Sequence, residues 1–326
     1  MKIMRLAILG AGNIARNMAK TVNALDEVEL YAVASRDKQK AEGFADEFGA
    51  AKAFGSYEEM LDDDGVDLVY VATPHSHHYE HVLLCLNAGK NVLCEKAFCI
   101  NHRQAEEMTA MACEKGLLLA EAIWVRYLPM AQTIRGLISS GSIGVITSLT
   151  ANLGYPIAHV ERLTNPSLAG GALLDLGVYM LNFAAIVMGS EDSVITSEAV
   201  MSDKGVDLQN SITLKYKDGR MAMLHSTVLC GTDERCVVYG TDGRLEIDNS
   251  NNYERIRIIG SDGREVRTIE RPPQITGFEY EVLSCKRAIE DGLCECPEMP
   301  HAEILRIMSQ MDEIRAQWGM RYPEEQ

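Results

Sequence analysis

The segment Arg5-Leu6-Ala7-Ile8-Leu9-Gly10-Ala11-Gly12-Asn13-Ile14-Ala15 passes from a β-rich apolar stretch, through two closely spaced glycines, into a helical pattern over residues 14–24. At such a junction the first glycine permits a tight turn and the second lets backbone approach a pyrophosphate. A small third residue, here Ala15, keeps the helix close to the strand. The helix start adds unpaired N–H groups and partial positive charge, a combination that suits an anion. A lone glycine match carries little weight, but this one opens a strand–helix–strand unit, the context in which it means dinucleotide binding. Residues 1–15 also imitate a secretory signal, with Lys2 and Arg5 ahead of apolar residues. That run is short and broken by Gly10, Gly12 and Asn13.

The pattern outward from this motif is regular. Strands are expected at 29–34, 67–71, 91–94 and 117–120, and helices at 38–48, 78–88 and 103–115. Asn101 and Gln104 resemble a capping box for the last of these helices. Repeated units of this length make a doubly wound parallel sheet covered by helices, an α/β Rossmann domain expected over residues 1–122. Beyond residue 122 the rhythm changes. After a helix at 130–139, a strand at 145–153 and a helical stretch at 172–188, strands follow at 194–201, 211–216, 221–228, 235–239, 244–247, 254–259 and 265–269. Asp218-Gly219, Asp242-Gly243 and Asp262-Gly263 stand between successive strands, where Asp-Gly favours a tight hairpin. Two helices, 278–291 and 302–317, close the series. Residues 123–326 therefore read as a C-terminal α+β domain with a large, mostly antiparallel, open-faced sheet.

Composition excludes several function classes. The 326 residues carry 31 Lys and Arg against 47 Asp and Glu, a net charge of −16. Such a surface repels phosphate backbones, so neither nucleic acid nor an anionic membrane is an expected partner. No apolar run approaches the length of a membrane span, and the expected location is cytoplasmic. Nine cysteines cannot all pair; Cys85, Cys94, Cys99 and Cys113 fall in apolar strand-like or helical patterns, where a reduced thiol behaves as a small hydrophobe. Cys294, Cys296 and His301 lack zinc-like spacing and a second cysteine pair. His77 and His81 are four apart on an expected helix, without the surrounding pattern of a metalloprotease. No metal is expected.

The end of the second strand selects the cofactor. NAD enzymes usually carry a carboxylate there for the ribose 2′-hydroxyl. Here Ser35-Arg36 occupies the position, followed by Asp37, Lys38 and Lys40. A hydroxyl and a guanidinium attract a 2′-phosphate, so NADP is expected over NAD. The alternative leaves Arg36 solvated and gives the ribose to Asp37.

Two further strands end in Thr73-Pro74-His75-Ser76-His77-His78 and in Val92-Leu93-Cys94-Glu95-Lys96, and ligands of open α/β sheets bind at such ends. With these motifs the sequence resembles the Gfo/Idh/MocA oxidoreductases over nearly its whole length. Glu121-Ala122-Ile123-Trp124-Val125-Arg126 and Gly170-Gly171-Ala172-Leu173-Leu174-Asp175-Leu176-Gly177-Val178-Tyr179 look most like the branch of that family that oxidises dihydrodiols and xylose. Many other members carry His at the position of Tyr179. Ala97 stands where the family usually has Pro, and His75 where Asn is common.

The resemblance implies hydride transfer between nicotinamide and a cyclic polyol, aldose or trans-dihydrodiol. Tyr179 would be the general acid/base; a free phenol has a pKa of about 10, and a cationic Lys96 nearby would stabilise its phenolate or bind the substrate oxygen. Asp175, four residues before Tyr179, would orient substrate or Lys96, and Arg162 would reach the substrate. The cofactor would be held by Gly10, Gly12, Asn13, Ile14, Ser35, Arg36, Thr73, Pro74, His75, His78, Glu95 and Lys96, with Glu95 against the nicotinamide ribose. Trp124 and Arg126 would line the nicotinamide pocket. The alternatives are reduction of a C=N or C=C bond, and a non-catalytic NADP-sensing module; a sensor has no need of the Lys96–Tyr179 pair. A homodimer through the C-terminal sheet is the expected assembly, since an open antiparallel face tends to be covered.

Overall fold

Near-continuous apolar runs become strands buried on both faces, and the central strands of the first sheet show this. The computed structural model describes residues 3–325, leaving Met1, Lys2 and Gln326 outside the description. Its chain divides into two units. The first comprises Met1–Trp124 together with Gln274–Leu305, the second Val125–Pro273 with Arg306–Gln326.

In the first unit β1 (Met4–Leu9), α1 (Asn13–Val22), β2 (Val28–Ala34), α2 (Lys38–Phe48), β3 (Lys52–Phe54) and α3 (Tyr57–Leu61) make one half. The other half is β4 (Leu68–Val71), α4 (His75–Asn87), β5 (Asn91–Glu95), α5 (His102–Lys115) and β6 (Leu119–Ala122). All six strands are parallel in the order β3-β2-β1-β4-β5-β6. This is the Rossmann order, and its switch point lies between β1 and β4. Asn101 caps α5, its side chain accepting from Gln104 N at 3.0 Å, while the Gln104 amide oxygen accepts from Ile100 N. The domain division expected at residue 122 needs correcting in one respect. Residues 274–305 were placed in the C-terminal domain, but they return to the first unit, where Leu119 N donates to Cys294 O and so covers the edge strand β6.

The second unit holds α6 (Pro129–Ser139), β7 (Ile146–Gly154), the short α7 (Glu161–Thr164), a π-helical turn at Leu173–Gly177 and α8 (Val178–Met188). Seven strands follow: β8 (Ser193–Met201), β9 (Asp207–Tyr216), β10 (Met221–Thr227), β11 (Cys236–Gly240), β12 (Gly243–Asp248), β13 (Arg255–Gly260) and β14 (Glu265–Glu270). They join β7 in an eight-stranded sheet ordered β14-β13-β12-β11-β7-β10-β9-β8, in which only β7 and β10 run parallel. The three Asp-Gly pairs lie where hairpins were expected. Two helices end the chain, α9 (Glu279–Glu290) in the first unit and α10 (His301–Gln317) spanning the division. One sequence expectation fails: Pro166–Met188 is long and apolar enough to cross a membrane by length and composition, with a mean hydropathy of 1.7. Gly170, Gly171, Asp175 and Asn182 interrupt it in the sequence, which hides the run. Its apolar window is entirely buried, and α8 within it packs on β7 and β10 as the core helix of the unit.

Candidate active site

The first unit assembles its site at the carboxyl ends of β1, β2, β4 and β5. Gly10 follows β1 with φ +102°, a conformation that disfavours any side chain. A Cβ there would sit 3.0 Å from Ala72 O and 3.2 Å from Thr73 Cγ2, so the β4–α4 loop approaches as closely as glycine allows. Gly12 caps α1 without a side-chain hydrogen bond, and the first turn carries no acidic residue. Asn13 and Ile14 begin that turn, and Ala15 is wholly buried. Backbone N–H groups, the helix dipole and a cradle that a Cβ would fill together fit a dinucleotide pyrophosphate.

Beyond β2, Ser35 is buried and its hydroxyl accepts from Asp37 N at 3.2 Å. Asp37 caps α2, its carboxylate accepting from Lys40 N at 3.2 Å. Arg36 is exposed. Its charge bears on two groups the sequence reading did not connect with it, Tyr57 and His81. Burial pushes the Tyr57 phenol up, with Arg36 opposing. Burial holds the His81 ring down to about 4, helped by His77, His78 and Arg36. His81 Nδ1 lies 3.0 Å from Thr73 Oγ1, and its ring meets Tyr57 edge-on with centroids 4.9 Å apart. The α3 segment that carries Tyr57 was not recognised in the sequence, which is why the cluster was missed.

Pro74 is the N-cap of α4, which begins at His75, three residues earlier than expected. His75 and His78 are both buried. His78 joins two loops: Nε2 is 2.8 Å from Thr73 O and Nδ1 is 2.8 Å from Ala97 O. Burial, outweighing these carbonyls, pushes His78 down to about 4. The neutral ring then donates one N–H, to one of the two carbonyls. Glu95 ends β5, buried. It accepts from the Tyr70 hydroxyl through Oε1 and from Lys96 N through Oε2, the latter at 3.2 Å. The Lys96–Ala97 peptide is cis. Trp124 stacks on Phe278, with centroids 4.9 Å apart, so the return segment supports it within the first unit.

The other expected residues belong to the second unit. Arg126 is buried, and its charge reaches Tyr253. The stretch from Ala172 is not uniformly α-helical, because Asp175 lies in the π-helical turn and Tyr179 at the start of α8. Such turns often mark functional sites. Arg162 and Asp175 come together, with Nη1 to Oδ1 at 2.9 Å and Nη2 to Oδ2 at 3.5 Å; the carboxylate is buried and the guanidinium half-exposed. Tyr179 is 7% exposed.

Asp207 anchors the π turn and was not picked out from the sequence. Fully buried, it accepts from Leu173 N at 2.9 Å and Asn210 Nδ2 at 2.8 Å through Oδ2. Its Oδ1 has no hydrogen-bond partner among the described residues. That oxygen is 2.3 Å from where a Cβ on Gly171 would stand, and Gly171 has φ +121°. Burial raises Asp207 to about 6 from 3.8. The folded chain thus binds a proton more readily than the unfolded chain, and this contribution is full below pH 3.8 and lost as pH rises through 6. Asp207→Asn has no such titration. Its stability minus that of the native chain is expected to rise by about 2 kcal/mol between pH 4 and pH 7, read from urea unfolding at each pH. A difference independent of pH would overturn the assignment.

A family model described as an oxidoreductase family with an NAD-binding Rossmann fold matches residues 4–122, and one for the GFO/IDH/MocA C-terminal domain matches residues 131–246. The trans-1,2-dihydrobenzene-1,2-diol dehydrogenase of Xenopus tropicalis is 34% identical over 324 residues, covering 97% of this chain and 98% of its own. The NADP(+) D-xylose 1-dehydrogenase of Hypocrea jecorina is 32% identical over 98% of this chain and 93% of its own. Among solved structures, a 3-ketoreductase from Actinomadura kijaniata with NADP and TDP-benzene superposes with a TM-score of 0.87 at 27% identity, covering 96% of this chain and 97% of that one. The fold is also shared with an aldose-aldose oxidoreductase from Caulobacter crescentus, at a TM-score of 0.88 and 24% identity over 98% of both chains. With both halves matched and relatives aligned end to end, the chain belongs to the Gfo/Idh/MocA oxidoreductase family.

Proposed function

We propose that this oxidoreductase uses NADP to oxidise, reversibly, a CH–OH group of a cyclic polyol, aldose or trans-dihydrodiol. The observation that carries the cofactor choice is the use made of Asp37. Its carboxylate caps α2 through Lys40 N, which leaves Ser35 and Arg36 to meet the ribose at the end of β2. A guanidinium there favours a 2′-phosphate over a hydroxyl. The substrate class rests on the relatives, which include dihydrodiol dehydrogenases and an NADP xylose dehydrogenase. The related 3-ketoreductase has been solved with a lysine replaced and with a tyrosine replaced, the residue types of the pair proposed here.

When bound, the nicotinamide supplies hydride chemistry. The chain supplies position and protons. Gly10, Gly12 and the first turn of α1 hold the pyrophosphate, while Ser35 and Arg36 hold the 2′-phosphate. Thr73, Pro74 and His75 wall the cofactor cleft, and His78 fixes the Thr73 loop against the Lys96 turn. Glu95 keeps that turn in place by accepting from Lys96 N and would hold the nicotinamide ribose. Lys96 stabilises negative charge on the substrate oxygen, and Tyr179 exchanges the proton with it. Asp175 holds Arg162 for the substrate hydroxyls. Trp124 would line the nicotinamide pocket.

Fluorescence titration with NADPH and NADH, followed by nicotinamide absorbance across aldoses, polyols and trans-dihydrodiols, tests the reading. Tight NADPH binding with turnover supports it; binding of neither nucleotide removes it. The same proposal includes a homodimer through the outer face of the eight-stranded sheet. There Val194, Lys215, Met221, Ser148, Tyr239 and Arg244 align as one row across six strands, and Val194, Met221 and Tyr239 are exposed. Light scattering at micromolar concentration is expected to give twice the chain mass, and a monomer would refute it.

A further inference from the structure

Remote from the cofactor cradle, at the opposite edge of the first sheet, three side chains converge beside the start of β6. Cys113, near the end of α5, meets two residues of the return segment, Cys294 and His301. The two sulfurs are 3.0 Å apart, Cys113 Sγ is 3.6 Å from His301 Nδ1, and all three ligand atoms lie within 4.8 Å of one another. We propose that Cys113, Cys294 and His301 form a zinc(II) site that clamps the return segment onto α5 and β6.

The histidine is set up for this role. Its Nε2 is 2.8 Å from Leu119 O, and a carbonyl only accepts, so Nε2 carries the proton. Nδ1 is left with its lone pair directed at the thiols, the arrangement in which a second hydrogen bond orients a metal-ligating imidazole. Two thiols and a neutral imidazole select zinc over magnesium or calcium. Tetrahedral zinc with Zn–S of about 2.3 Å and Zn–N of about 2.0 Å needs an S–N edge of about 3.5 Å and an S–S edge of about 3.8 Å. Cys113 already meets the S–N edge at 3.6 Å, Cys294 lies within 4.8 Å of the ring nitrogen, and the S–S edge requires the sulfurs to part by less than ~1 Å. Glu295 stands beside the histidine, its carboxylate accepting from His301 N at 2.6 Å with Oε2 3.8 Å from Nδ1, and water fills the fourth position of the proposed site. Cys113 is exposed and His301 buried, which gives the ion a path from solvent. On binding, each thiol releases its proton to water and the sulfur pair becomes the ligand.

Sequence spacing argued against a metal because it joined the wrong cysteines. Cys296 turns instead to Cys285, their sulfurs 3.8 Å apart, and the missing ligand comes from a helix 181 residues upstream.

The test uses the full chain, metal-stripped and held in a phosphine reductant, titrated with zinc sulfate against a chromophoric chelator. Native mass spectrometry counts the ion. One zinc per chain is expected, with a rise in melting temperature. Cys113→Ser and Cys294→Ser should each lose both, whereas Cys230→Ser, at an exposed thiol elsewhere, should keep both. Cobalt(II) should give the thiolate charge-transfer absorbance of a tetrahedral two-sulfur site in the native chain and in Cys230→Ser, and not in Cys113→Ser or Cys294→Ser. Zinc retained equally by Cys113→Ser, no zinc retained by the native chain, or a Cys113–Cys294 disulfide formed in preference to the zinc complex would each overturn the proposal.

Discussion

Tyr179→Phe is expected to lower kcat by about 10²- to 10⁴-fold, the usual contribution of a positioned acid or base. NADPH affinity should stay at its native value. The substitution deletes one oxygen from a side chain that is 7% exposed, at the start of a helix buried along its whole length. The ring remains to fill its space, so the fold should persist; a thermal melt checks this. A loss of the proton-exchanging group alone should appear in turnover, because the hydroxyl is assigned to the substrate and not to the cofactor. Near-native turnover would remove the role assigned to Tyr179. A parallel loss of NADPH affinity would point to a packing role instead.

Arg36→Ala should weaken NADPH binding by about 10- to 100-fold, since a hydrogen bond to a charged group contributes about 1.5–3 kcal/mol. NADH affinity should be unchanged, so the preference between the two collapses. Arg36 is exposed and its loss costs no core packing. Asp37 remains committed to its helix cap, so the variant gains no strong ribose ligand. An unaltered NADPH-to-NADH ratio would mean that the 2′-phosphate is read elsewhere.

Much of the fold was written in periodicity. Strands of four to seven apolar residues, and Asp-Gly between alternating runs, located almost every element to within a few residues. The omissions have a common cause. Lys52–Phe54 and Tyr57–Leu61 are too short to show a period, and only pairing with β2 and packing against it define them. The π-helical turn at Leu173–Gly177 was invisible because its extra residue per turn answers to Asp207, which accepts from Leu173 N across 34 residues of chain. The motifs that a turn or a strand end requires, Gly10 to Ala15 and Thr73 to Pro74, could be recognised locally. The partners Tyr57, His81, Asp207 and Cys113 could not, since each owes its place to chain that arrives from far away.

The return of residues 274–305 has a consequence for how this protein is made. During synthesis the sheet edge at β6 emerges early, and its Leu119 N–H has no carbonyl to meet until Cys294 appears. From Leu119 to Cys294 the ribosome must add 175 residues, which takes about 9–35 s at common elongation rates. For that interval an apolar edge, the ready template for joining another chain, stands uncovered. The nascent protein is therefore exposed to aggregation over that interval, and a premature stop before Cys294 leaves that edge open for good.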